Sequence, residues 1–173
     1  MEFCYSLQGE QNMMGRGYIP ARILVVEDDV DIQQVLCVYL KHSGFEVRGA
    51  SDGQEAIATI PEFRPHLIVL DLMMRPVDGW EVLHWLRSRG MASAPPVLVL
   101  TARTQLEEQV HGFEEGAVEY ITKPTQPAVI VERIRALLGL TSEQRAMLQR
   151  ERREKQRRTL ELVSAPQQDE FIY

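Results

Sequence analysis

Four apolar runs in this chain end on groups that can do chemistry. ILVV (Ile23–Val26) runs into Glu27, Asp28 and Asp29, and LIVL (Leu67–Leu70) into Asp71. VLVL (Val97–Leu100) runs into Thr101, and YIT (Tyr120–Thr122) into Lys123 and Pro124. Carboxylates brought together repel, and a bare cluster pushes at least one pKa upward. A divalent cation removes the conflict; oxygen-only ligands favour a hard ion, and Mg²⁺ typically takes one or two carboxylates, waters and phosphate oxygens. A lysine ammonium and a threonine hydroxyl supply what the remaining oxygens of a phosphoryl group require, a point charge and a hydrogen-bond donor. Asp71, central in this set, is the natural nucleophile, because a carboxylate can form an acyl phosphate.

Glu27, Asp71, Thr101 and Lys123 are separated by 44, 30 and 22 positions, so only the fold can assemble them. The first, third and fourth strong apolar segments show no alternation, which suits strands covered on both faces of a parallel sheet. FEV (Phe45–Val47) and YIT complete five strands. Between them lie segments at helical spacing. Ile32, Val35, Leu36, Tyr39 and Leu40 predict a first helix stopping at Gly44. Ala56, Ile57 and Ile60 predict a second, closed by Pro61. Val82, Leu83 and Leu86 predict a third, ending near Gly90, with Asp78-Gly79 as the turn that starts it. Leu106, Val110 and Phe113 predict a fourth, ending near Gly112 or Gly116; Ile130, Ile134, Leu137 and Leu138 predict a fifth, stopping at Gly139. Five strands each followed by a helix make an α/β doubly wound domain, with a five-stranded parallel sheet in the flavodoxin-like order 2-1-3-4-5. All strand C-termini then lie along one edge, where the crevice opens between the first and third strands.

Composition narrows the setting. The chain has 173 residues, 45% hydrophobic, with a formal net charge of −6, which argues against a general nucleic-acid or membrane-surface binder. Cys4 and Cys37 cannot staple a secreted scaffold, and Cys37 reads as a buried free thiol. No apolar run approaches a membrane span, and the N-terminus lacks the features of a signal peptide. The expected setting is therefore cytoplasmic. Residues 1–20 read as a mobile leader, with Met13 or Met14 as alternative starts, and 21–139 as the domain. Residues 141–173 carry 7 Lys+Arg against 6 Asp+Glu, a net of +1, whereas the remainder has a net of −7. Thr141-Ser142-Glu143-Gln144 opens a charged helix or linker over 140–163, and 164–173 reads as a frayed tail. Glu151–Lys155 and Glu154–Arg158 stand in the favourable i,i+4 order, so this helix reads as solvated or as the root of a linker rather than as a dimer-forming one.

The stretches ILVVEDD, LIVLDLMM, VLVLTAR and EYITKP together resemble the response-regulator receiver domain of two-component signalling, over roughly residues 22–139. GAVEYITKP followed by VERIRALL, Met73 two after the aspartate and Arg103 two after the threonine resemble the receivers of the winged-helix subfamily. Its DNA-binding domain does not fit in the residues that follow, and no direct DNA binding is expected of this chain. The resemblance implies that Asp71 accepts phosphate from a histidine kinase, a phosphotransfer protein or a small phosphodonor. It implies direct Mg²⁺ ligation by Asp28 and Asp71, with Glu27 acting through water and the Met73 backbone carbonyl completing the protein ligands. Thr101 and Lys123 would hold the phosphoryl oxygens, Tyr120 would be the aromatic whose rotamer follows Thr101, and Ala102 would leave the line of attack open. The Lys123–Pro124 bond would be cis. The candidate surfaces for a homodimer are the fourth helix, fifth strand and fifth helix, or the C-terminal helix. The chain departs from the family pattern at Arg75-Pro76, where the proline comes one place late. It departs again at Thr125, in place of a phenylalanine, and at Val118, in place of an acid.

Other residues carry plainer readings. Asp29 suits a helix cap. Trp80 and Trp85 suit packing, and His42, His66, His84 and His111 show no metal-ligand spacing. Two other functions meet the same residues. An aspartyl-phosphate hydrolase of the haloacid-dehalogenase kind needs an acid two residues after the nucleophile, where this chain has Met73. A phosphorylation-independent interaction module has no need of the full acid, Asp, Thr and Lys set. The expected role is thus a phosphorylation switch rather than an enzyme turning over a separate substrate.

Overall fold

The computed structural model describes residues 19–90, 94–102 and 106–164, without the side chains of 106–108 and 164. The leader to residue 18, with Cys4, Met13 and Met14, lies outside the described residues, as do Arg103 and the tail from 165. The strands are β1 (Arg22–Val26), β2 (Glu46–Ala50), β3 (Leu67–Leu70), β4 (Val97–Thr101) and β5 (Ala117–Thr122). The helices are α1 (Val30–His42), α2 (Gly53–Phe63), α3 (Gly79–Ser88), α4 (Leu106–Glu114), α5 (Pro127–Leu138) and α6 (Ser142–Ser164). All strand pairs are parallel, in the order β2-β1-β3-β4-β5.

The apolar runs explain this sheet. Successive residues of a strand face opposite ways, so Ile23, Val25, Leu67, Val69, Leu98 and Leu100 enter one core cluster. Leu24, Val26, Ile68, Leu70, Val97 and Val99 enter the other. Helices α1 and α5 close the first cluster, with Leu36, Leu40, Ile130 and Ile134; α2 and α3 close the second, with Ala56, Ile60, Val82 and Leu83. Because both faces are covered, the polar groups that follow each strand have nowhere to go but the C-terminal edge.

Several boundaries differ from the sequence expectation, each for a physical reason. The α2 helix continues through Pro61 to Phe63 and ends on Arg64 in the left-handed region (φ 49°), instead of closing at the proline. Near a helix C-terminus the proline forfeits one hydrogen bond, while buried Ile60 and Phe63 hold the turn. Of the α1 stripe only Leu36 and Leu40 are buried; Ile32, Val35 and Tyr39 are exposed, together with Val30 and Val38. Cys37 is half-buried rather than buried, and burial raises its thiol pKa. β5 begins three residues earlier than its apolar core suggests. Its register against β4 skips a residue, Val97 facing Ala117 and Leu98 facing Glu119, so Val118 is the extra residue of a bulge.

The last helix is not solvated all round. α6 lies along α4 and β5, presenting Arg145, Leu148, Gln149, Arg152, Gln156 and Leu160 inward. Glu154 and Arg158 pair on its outer side at 3.1 Å.

Candidate functional site: an acidic cluster bridged by a lysine

The backbone ladder extends one residue past the strand ends and fixes two carboxylates. The Glu27 amide donates to Ala50 O (3.0 Å) and the Asp71 amide to Val26 O (2.9 Å). Both side chains are buried, Glu27 at 2% exposure and Asp71 at 6%. Asp28 is exposed beside them, and one oxygen from each of Glu27, Asp28 and Asp71 falls within 4.8 Å of the others. Asp29 turns away to cap α1, its Oδ1 accepting the amides of Asp31 and Ile32 at 3.0 Å each. The offset along the strand end therefore separates the cluster member from the cap.

Lys123 arrives from β5, where its amide donates to Thr101 O (2.8 Å). Its ammonium donates to Asp71 Oδ2 and to Glu27 Oε2, both at 2.6 Å. The other Asp71 oxygen accepts the Met73 amide (2.9 Å). Burial alone would lower the lysine pKa, but the hydrogen bonds and charges of Asp71 and Glu27 outweigh it and the net shift is upward. For Glu27 burial dominates and raises the pKa, although Lys123 pulls the other way. Thr101, 3% exposed, ends β4 at the same edge. The Lys123–Pro124 peptide is cis, and so is Arg75–Pro76.

Tyr120 lies on β5 with its ring edge-on to Phe113 of α4, centroids 5.0 Å apart. A β-carbon on Gly112 would overlap its hydroxyl, so the tyrosine occupies the space that the helix glycine leaves. In the sequence Gly112 marks only a helix end. Two further supports are not evident there. Gly79, taken as part of a turn, brings the start of α3 against the backbone of Asp71 and Leu72, where any side chain would collide with the Asp71 carbonyl. Gln33 donates its amide to Glu27 O (3.0 Å) and Ala50 O (2.8 Å), holding the ends of β1 and β2 together. A glycine straight after the capping Asp78 was the available signal for Gly79. Gln33 offered none, since a polar residue on α1 reads as solvated. Trp80 and Trp85 pack partly buried against the second core cluster, Trp80 tilted over His111 at 4.8 Å. His84 pairs with Glu115, and His66 accepts the Arg22 amide.

Such an edge, with clustered carboxylates, a half-buried lysine bridge and a strand-end threonine, suits phosphoryl transfer to an aspartate. The response regulator receiver domain matches residues 23–135. This chain belongs to that family. The receiver is 44% identical over 124 residues to the response regulator MprA of Mycobacterium sp. (strain KMS), covering 72% of this chain and 53% of the relative. It is 39% identical over 120 residues to the DNA-binding dual master transcriptional regulator RpaA of Synechocystis sp. (strain ATCC 27184 / PCC 6803 / Kazusa), covering 69% and 50%. These relatives are OmpR-family regulators, in keeping with the winged-helix-type receiver motifs. The chain spans about half the length of the curated relatives it matches. Among solved structures it superposes on the beryllofluoride-activated N-terminal receiver domain of Klebsiella pneumoniae RstA, with a TM-score of 0.63 and 30% identity, covering 69% of this chain and 99% of that one. Receiver domains of this family typically serve as phosphorylation switches. No helix among the described residues is long and apolar enough to cross a membrane.

Proposed function

We propose that this receiver accepts a phosphoryl group on Asp71, from a histidine kinase or a phosphotransfer protein, and that the adduct switches the surface formed by α4, β5 and α5. The observation that carries this reading is Lys123 spanning Asp71 and Glu27 at 2.6 Å on each side, with Asp28 completing a three-acid cluster. The all-oxygen donor set fits Mg²⁺, which Asp28 and Asp71 would hold with the Met73 carbonyl, Glu27 acting through water. When bound, the ion neutralises charge on the carboxylates and the phosphoryl oxygens.

The chain's own residues do the rest. An Asp71 carboxylate oxygen attacks phosphorus in line while the P–N bond of the donor phosphohistidine breaks and its electron pair returns to the imidazole. Lys123 exchanges its Asp71 contact for a phosphoryl oxygen, keeping a charge-assisted hydrogen bond throughout. The Thr101 hydroxyl donates to another oxygen, and exposed Ala102 leaves the approach clear. Tyr120, packed on α4, reports the position of Thr101 to that helix. The acyl phosphate then hydrolyses slowly, without turnover of a second substrate.

Beside Lys123 opens a groove lined by Ile32, Val35, Leu100, Pro124 and Pro127. Ile32 and Val35, two of the exposed apolar side chains of α1, border it, which suits an apolar helix of the donor protein. The reading is tested by incubation with acetyl phosphate. One phosphoryl group should add in Mg²⁺, and none should add in EDTA or in Asp71→Asn. A gain that persists in Asp71→Asn removes Asp71 from this role.

A further inference from the structure

The side of α6 that faces the domain is unusual for a packed helix, because its central contacts are polar. Gln149 donates to Phe113 O (2.9 Å), Arg152 to Val118 O (2.7 Å), and Gln156 to Gln109 Oε1 (2.9 Å). Arg152 also pairs with Glu119 at 2.9 Å, the two side chains 26% and 12% exposed. The spacing of 149, 152 and 156 puts all three on one helical stripe. Half-buried Leu148 and Leu160 flank it. Beneath the first turns a cavity of about 330 Å³ remains, lined by Leu86, Pro96, Val118, Ala146 and Gln149 among others. A helix held by a polar stripe over an incompletely filled space can leave without exposing a large apolar core.

What α6 grips is specific. β5 is the outer strand of the sheet, and Val118 is its bulged residue, whose carbonyl Arg152 takes. Arg152 thus serves an open sheet edge that would otherwise invite another chain. Its other partner, Glu119, immediately precedes Tyr120, and the Gln149 acceptor, Phe113, is the residue against which the Tyr120 ring rests. The contacts of α6 therefore bracket Tyr120, the aromatic to which the proposed function gives the link between Thr101 and α4. Any shift of α4 against β5 lengthens several of these hydrogen bonds together.

We propose that the α4–β5 edge is a helix-binding surface whose resident ligand is this chain's own α6, docked while Asp71 is unmodified and released when Asp71 carries its adduct. The proposal rests on the phospho-acceptor reading above. Linkage makes it testable in both directions: if the adduct weakens α6 docking, weakened docking must strengthen binding of the adduct mimic by the same factor. The mimic is beryllofluoride with Mg²⁺, used on the full chain. Hydrogen exchange of amides 145–160 is followed beside a binding titration, for wild type and for Gln149→Ala/Arg152→Ala. A second pair, Gln149→Ala/Gln156→Ala, leaves the Arg152–Glu119 bridge intact and covers the case in which the first does not fold.

Beryllofluoride should speed α6 exchange in wild type by about fivefold or more, a typical lower bound for coupled sites. The variants should exchange fast without it and bind beryllofluoride tighter by a similar factor. If beryllofluoride binds but α6 exchange is unchanged, or the folded variants bind it no tighter, the inference falls and the phospho-acceptor reading stands. If wild type binds no beryllofluoride at all, both fall.

Discussion

At the scale of single residues the site is a balance of buried charge. Lys123 is the only cation among the described residues that contacts Asp71 and Glu27. Lys123→Ala should therefore leave two buried carboxylates facing each other, at a cost of about 3 kcal/mol, the lower end for breaking a buried pair. Denaturant unfolding measures it, and the loss should be smaller in Mg²⁺ than in EDTA. Glu27 gives a pH signature. Its folded pKa is raised, so its contribution to stability is fully present below the unfolded value of about 4.3 and is lost as pH rises through the folded value. The pKa of Lys123 is also raised, with the same sign, but its window opens only above about 10.4. Between pH 4 and 7, in EDTA, the melting temperature of Glu27→Gln relative to wild type should rise with pH, because the variant has no buried carboxyl to ionise. A flat difference would mean that ionising Glu27 costs nothing in this site.

At the scale of elements, most of what positions the site could be read beforehand, and the exceptions share a cause. β1, β3 and β4 are buried on both faces, so their apolar runs and the polar residues after them were plain. The N-terminal half of β5 was not, because Ala117, Val118 and Glu119 form a bulged edge whose pattern depends on the partner strand and on α6. α1 misled in the opposite way, since its periodicity marks apolar residues without saying which meet the core and which border the groove beside Lys123. Gly112 is the instructive case. Glycine inside a helix costs about 1 kcal/mol relative to alanine, so Gly112→Ala would ordinarily stabilise α4. Here the added carbon meets the Tyr120 hydroxyl, and the substitution should destabilise. In a Tyr120→Ala background the ordinary sign should return, which thermal unfolding of the four proteins would show.

Across the whole molecule, the parallel topology is what converts residues scattered from position 27 to 123 into one rim. The order of the strands follows from connection rules and burial, so it was legible. The seating of α6 was not, because the middle of its inward stripe is Gln and Arg, indistinguishable in sequence from a solvated face; what gives it a place is the set of partners on α4 and β5, the carbonyls of Phe113 and Val118 with Gln109 and Glu119. The chemistry of that rim is directly measurable. An acyl phosphate on aspartate is reduced by borohydride to homoserine, so a receiver treated with acetyl phosphate and Mg²⁺, then reduced and mapped by peptide mass spectrometry, reports the modified residue itself. Homoserine at position 71, absent when Mg²⁺ is withheld, is the expected result. Homoserine at 28 or 29, or none anywhere in the chain despite stoichiometric labelling, would contradict the assignment of Asp71 as the phosphoryl acceptor.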